Sequence, residues 1–232
     1  QGESPIPLLL LHGWPGSVFE FLELTPFLTD PMGNGLKDSP SFTVIAPSLP
    51  GFGMSFSDDQ KRVGAVQMSD IFVHLMTDLL GYQKFATQGG DWGAFISTAL
   101  AMNYPESMLG MHLNMLPTRP DSNVGEGASE AEKNYAKEID FWLREETAYT
   151  HIQGTKPQTL AYALTDSPAG LAAWIVEKFN TWTDNDGLIE NAISRDRILV
   201  NISLYWFTKS IGSSFWPYYD RHHTRWTLPD DV

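Results

Sequence analysis

Residues 87–95 read TQGGDWGAF. A strand-like run, KFAT, leads into two glycines, then a single acid, Asp91, and after Gly93 a helix-like run, AFISTALAMNY. A side chain that must project above a sheet from a strand-to-helix turn stands on a sharply bent backbone. The residues two before and two after it must be small or they collide. Here they are Gly89 and Gly93, with Gly90 and Ala94 also small. The pattern is that of a nucleophile elbow, G-x-S-x-G, with Asp91 in the serine position. The following helix would bring its N-terminal amides and positive dipole end to the site. A helix N-cap aspartate is the plain alternative, but capping alone leaves glycine on both sides unexplained.

Outward from this turn, strands alternate with helices. PIPLLLL is apolar without polar interruption, as suits a strand buried on both faces of a parallel sheet. It ends in HGWPG, a Gly-Pro turn. A helix is expected around 18–28, a second strand at Phe42–Pro47, and a Gly- and Ser-rich loop, SLPGFGMSFS, after it. Met68, Ile71, Phe72, Leu75 and Leu79 fall at helical spacing and predict a helix over 66–80, with Gly81 as its C-cap. KFATQ is the third strand. A helix from Trp92 to Tyr104 is stopped by Pro105, and Leu109–Met115 is the fourth strand. This order predicts an α/β domain with a parallel sheet.

The pattern changes near Leu116. PTRPDSNVGEG reads as a linker, and the sequence up to Tyr219 reads as helices at 128–146, 158–164, 168–181 and 195–210. An aromatic helical block after an α/β unit is expected to form a lid over the C-terminal edge of the sheet, where open α/β sheets bind ligands.

Composition narrows the function. The chain has 232 residues and 42% hydrophobic residues, enough for a real core. A formal charge of −13 argues against a nucleic-acid partner. The absence of cysteine excludes disulfides, thiolate catalysis and Cys-ligated zinc. No apolar run reaches the ~20 residues of a membrane helix, and no signal-peptide pattern precedes PIPLLLL, so a soluble, cytoplasmic setting is expected. The six histidines offer no metal-ligand spacing, since the pair His222–His223 is adjacent and lacks a third ligand. No metal and no cofactor are implied. The sequence leaves the oligomeric state undetermined.

An aspartate is already ionised at neutral pH and attacks without a base, but it is a weak nucleophile. Its substrate must be an electrophilic carbon with a leaving group or a strained ring. The product is an alkyl ester on the enzyme, which water must hydrolyse at the carbonyl carbon. That step gains from an oxyanion hole, whose donors fall at the backbone N–H groups of Trp14 and Trp92. His12, directly after a buried strand, is expected to brace the loop rather than act as base. A halide leaving group wants N–H donors. An epoxide oxygen leaves as a basic alkoxide and wants an acidic donor such as tyrosine. The lid offers Tyr149 and either Tyr218 or Tyr219.

Taken together, HGWPGS, APSLPGFGMS, QGGDWGA, HLNM, YTHIQGTKPQT, TDSPAGLAAWIVEKFNTWTD and SLYWFTKSIGSS resemble the microsomal-type epoxide hydrolases of the α/β-hydrolase superfamily. The resemblance implies an α/β-hydrolase core with a helical lid and a small-molecule epoxide substrate. It implies Asp91 as nucleophile, Trp14 and Trp92 as backbone oxyanion donors, and Tyr149 and Tyr218 as the epoxide-activating phenols. Trp142, Trp206 and Tyr219 are expected to contact substrate, although Phe141, Trp142, Trp174 and Trp206 would serve equally as lid core.

The family's catalytic histidine lies after the last strand near a Gly-Gly-His phrase, and its partner acid lies after the preceding strand. Neither phrase occurs here. The expected division is therefore a core part at 1–116, a lid at 117–220 and a return segment at 221–232 toward core strands that are missing. On this reading the core is incomplete and the water-activating His and acid are absent. Two alternatives stay open: a haloalkane dehalogenase, weakened by Asn114 where some dehalogenases place an acid, and a binding module of the same fold that has lost catalysis.

Overall fold

The computed structural model describes residues 4–117, 124–125, 127–224 and 226. Four parallel strands, β1 (Ile6–Leu11), β2 (Phe42–Ile45), β3 (Phe85–Gly89) and β4 (Met108–Leu113), form one sheet in the order β2-β1-β3-β4. Central β1 pairs with β2 through Leu8 opposite Val44, and with β3 through Leu9 opposite Thr87 and Leu11 opposite Gly89. Its unbroken leucines are explained by burial on both faces. Leu9 and Leu11 enter the main core with Met68, Phe72, Ile96 and Leu100. Leu8 and Leu10 point the other way and pack with Phe21.

The expected helix at 18–28 is instead a 3-10 turn (Val18–Phe21) followed by the short helix α1 (Thr25–Thr29). Ser17 Oγ caps the first by accepting from Phe19 N–H. Pro26, which lacks an N–H, stands in the first turn of the second and suits a fresh start there. Helix α2 (Ala65–His74) runs on into a wider π turn over Leu75–Leu79, in which Leu80 N–H reaches back to Leu75 O. Gly81 ends it at φ +78°. Helix α3 (Trp92–Asn103) follows the turn after β3.

Six helices follow β4: α4 (Glu130–Glu145), α5 (Ala148–Thr155), α6 (Pro157–Asp166), α7 (Pro168–Trp182), α8 (Arg195–Thr208) and α9 (Trp216–His223). Their starts are written locally. Ser129 and Glu132 form a capping box on α4, and Ser167 and Ser194 cap α7 and α8. The sequence reading lacked α5 and α9. Both are eight residues long, too short to stand alone, and gain their stability from packing on each other. The helices approach each other at Gly154, where an added Cβ would lie 3.2 Å from His222 Cβ and 3.3 Å from Tyr218 O.

The expected boundary at 220/221 falls inside α9, so lid and return segment are not separated there. Residues 118–123 of the expected linker and most of the return segment beyond Thr224 lie outside the described residues. The helical block packs on the C-terminal ends of β1 and β3. Leu171, Ile175, Ile198, Ile202 and Tyr205 belong to the same buried cluster as Leu9 and Leu11.

Candidate active site

The turn after β3 shows why its glycines are required. A Cβ on Gly89 would collide with the carbonyl of Gly93, and one on Gly93 with the carbonyl of Leu11. Asp91 between them sits at φ +49°, ψ −125°, a region that costs a non-glycine residue on the order of 1–3 kcal/mol. Its carboxylate does not cap α3. Asp91 thus stands at the N-cap position of α3 without a capping hydrogen bond from its side chain.

Trp14 N–H donates to Asp91 Oδ1 at 2.8 Å. Gly13 makes room for the carboxylate, since a Cβ there would overlap it. Burial pushes the Asp91 pKa up from the usual 3.8 to about 6, opposed by the N–H groups of Trp14 and Trp92. The residue is half-buried, and it lines a cavity of about 730 Å³.

The HGWPG loop is held from two sides. His12 is fully buried, with Nδ1 on Gly13 O at 3.0 Å and Nε2 accepting from Leu49 N–H at 3.0 Å. Both ring nitrogens are engaged, and burial lowers its pKa to about 4. It braces the loop as a neutral ring and is unsuited to act as a base. From α8, Asn201 Nδ2 donates to Pro15 O and Tyr205 hydroxyl donates to Gly16 O, both at 2.7 Å. The sequence reading missed these two side chains. Their only signal was polar residues on an otherwise apolar helix face.

Tyr149 on α5 and Tyr218 on α9 face the carboxylate across the cavity, which both line. Their rings are 5.7 Å apart. Tyr149 stacks on Trp14 at 5.3 Å, and Tyr218 meets Trp92 edge-on at 4.8 Å. Burial, then the charge of Asp91, raises the pKa of each phenol. Both therefore keep their protons at neutral pH. The Tyr218 hydroxyl lies close to the Tyr149 hydroxyl and to the Trp92 side chain, and the indole N–H of Trp14 is buried without a hydrogen-bond partner among the described residues.

Of the other expected contacts, Trp142 lines the cavity. Trp206 and Tyr219 are not among the residues that line it. Trp206 packs against the buried core. Tyr219, one residue along α9, points to the other side, stacked on His223 at 4.0 Å and lying under the Arg62 guanidinium. Phe141 is exposed, and Trp174 donates its indole N–H to Gln153 inside the lid. Lining residues that the sequence reading missed include Phe95, His151, Trp182, Arg221 and His222. Asn114, just beyond β4, packs beside Gly90 of the elbow. Among the described residues, no three His, Cys, Asp or Glu side chains converge to hold a metal ion.

A carboxylate thus stands on a strained strand-to-helix turn and accepts a backbone N–H from the loop after β1. The chain belongs to the α/β-hydrolase fold family, whose model matches residues 6–171. Within that fold its relatives are epoxide hydrolases. It is 43% identical to epoxide hydrolase 1 of Oryctolagus cuniculus over 92% of this chain and 51% of the relative. The crystal structure of juvenile hormone epoxide hydrolase from the silkworm Bombyx mori superposes with a TM-score of 0.75 at 40% identity, over 99% of this chain and 55% of that one. The Aspergillus niger epoxide hydrolase gives 0.80 at 30% identity, over 95% and 56%. The chain spans about half the length of the curated relatives it matches. No helix among the described residues is long and apolar enough to cross a membrane.

Proposed function

We propose that this chain carries the nucleophile and lid of an epoxide hydrolase that opens an epoxide to a vicinal diol. The observation that carries the reading is the placement of two protonated phenols, Tyr149 and Tyr218, across one cavity from a carboxylate held by Trp14 N–H.

In the first step Asp91 Oδ2 attacks a ring carbon. The carbon–oxygen bond of the epoxide breaks, and the departing oxygen takes a proton from Tyr149 or Tyr218. A phenol suits this role because an alkoxide is a poor leaving group unless protonated. In the second step water attacks the ester carbonyl carbon. Negative charge collects on Oδ1, which already accepts from Trp14 N–H, with Trp92 N–H as second donor. Collapse releases the diol and returns a carboxylate containing one oxygen from water. The attacking water needs a base. The engaged ring of His12 does not supply it.

The apolar lining and Trp142 favour an epoxide with an aryl or alkyl substituent. One observation favours a second reading, dehalogenation: the buried indole N–H groups of Trp14 and Trp92 could hold a leaving halide. One experiment separates the readings. The protein expressed from its complete reading frame is given styrene oxide or 1-chlorohexane in heavy-oxygen water under single-turnover conditions. Diol from the epoxide, with the label in Asp91, supports the proposal. Halide release from the chloroalkane alone points to dehalogenation. Neither product, with no adduct on Asp91, leaves a binding module.

A further inference from the structure

Lys178, on α7, is only 7% exposed. Lysine is rarely buried without a specific partner. Its ammonium lies 3.1 Å from Glu146 Oε2 and 2.9 Å from Glu177 Oε2. The same ammonium is 5.3 Å from the centroid of the Tyr149 ring and 5.4 Å from that of Trp182. The Glu146 side chain is 15% exposed and Glu177 is 53% exposed. So one buried cation and one nearly buried anion, Glu146, flank the phenol that faces Asp91.

We propose that Lys178 is a positioning residue for ring opening, keeping the Tyr149 phenol a competent proton donor by lying over its ring and neutralising Glu146. This rests on the epoxide-hydrolase reading of Tyr149. When Tyr149 O–H gives its proton to the epoxide oxygen, negative charge appears on the phenolate. A cation within about 6 Å of the ring face favours that charge. Glu146 acts in the opposite direction, and its charge contributes to raising the Tyr149 pKa. An ammonium used only to strap α7 to the α4–α5 junction would have no need to lie over this ring.

The two roles predict opposite signs for Glu146. If the ion pair is only a strap, removing either partner harms the site alike. If Lys178 serves the phenol, removing Glu146 helps, because Glu177 still pairs with the ammonium. Rapid-quench alkylation of Asp91 by styrene oxide, followed by ester hydrolysis, is measured for Lys178→Met, Glu146→Gln and Tyr149→Phe. Each of the first two is also measured in the Tyr149→Phe background.

The expected result is alkylation about 10-fold slower in Lys178→Met and at least about twofold faster in Glu146→Gln. Ester hydrolysis changes less than about twofold in either, and both effects vanish without the Tyr149 hydroxyl. Slowed or unchanged alkylation in Glu146→Gln overturns the proposal, as does an effect that persists in the Tyr149→Phe background. If Lys178→Met does not fold, Glu146→Gln in the two backgrounds decides. Alkylation at the wild-type rate in Tyr149→Phe alone would instead remove the phenol reading on which the proposal rests.

Discussion

The backbone N–H of Trp14 donates to Asp91 Oδ1 at 2.8 Å, joining the loop after β1 to the turn after β3 across 77 residues of sequence. This bond tells the two carboxylate oxygens apart. On the proposed mechanism Oδ1, held by a donor that strengthens as charge grows on it, collects the charge, and Oδ2 is the oxygen that attacks. The same bond helps hold the carboxylate ionised against its burial.

The phenols are expected to separate by step and by register. Tyr149→Phe and Tyr218→Phe should each slow alkylation of Asp91 about 10²-fold, and the double variant should lose nearly all of it. Tyr219→Phe should be silent, because its ring lies against His223 and Arg62. Rapid-quench trapping of the ester checks all three.

Asp91 sets a pH dependence in activity and in stability. Only the ionised form attacks, so alkylation should fall about tenfold per pH unit below a midpoint near 6. An acid whose pKa is raised on folding binds more protons folded than unfolded between pH ~4 and ~6. Stability from this group is therefore present at low pH and lost as pH rises through that window. Asp91→Asn should be more stable than wild type at pH 8, by no more than about 3 kcal/mol, with the difference gone near pH 4. Urea unfolding at the two pH values measures it.

Gly154 lies where α5 meets α9, the two helices that carry the phenols. A methyl there would stand 3.2 Å from His222 Cβ, so Gly154→Ala should push α5 from α9 by a few tenths of an ångström. Alkylation should drop about 10-fold, since misplacement near 1 Å costs about 10²-fold. The midpoint of thermal unfolding should move by only a few degrees.

From α8, Asn201 holds the HGWPG loop, the proposed source of an oxyanion donor. Asn201→Ala leaves Pro15 O without its donor and should cost about 1–3 kcal/mol in stability. Its kinetic effect should fall mainly on hydrolysis of the Asp91 ester, because the loop carries Trp14 N–H. An effect confined to alkylation would contradict that assignment.

Much of this was legible in residue order because it rests on local constraints. Leu8–Leu11 form an unbroken apolar run because β1 is covered on both faces. Gly89 and Gly93 flank Asp91 because a Cβ at either would meet backbone. Ser129, Ser167 and Ser194 mark helix starts because a hydroxyl can replace the missing amide acceptors. The tertiary structure alone decided what depends on helix facing. Tyr218 and Tyr219 are neighbours in sequence, but successive residues on a helix point about 100° apart, and only the packing of α9 on α5 at Gly154 turned Tyr218 to the cavity. Trp142 reached the cavity and Trp206 packed against the core for the same reason. The short helices α5 and α9, and the set of Asn201, Tyr205 and Lys178 around the site, likewise exist through contacts between segments far apart in the chain, which no local pattern encodes.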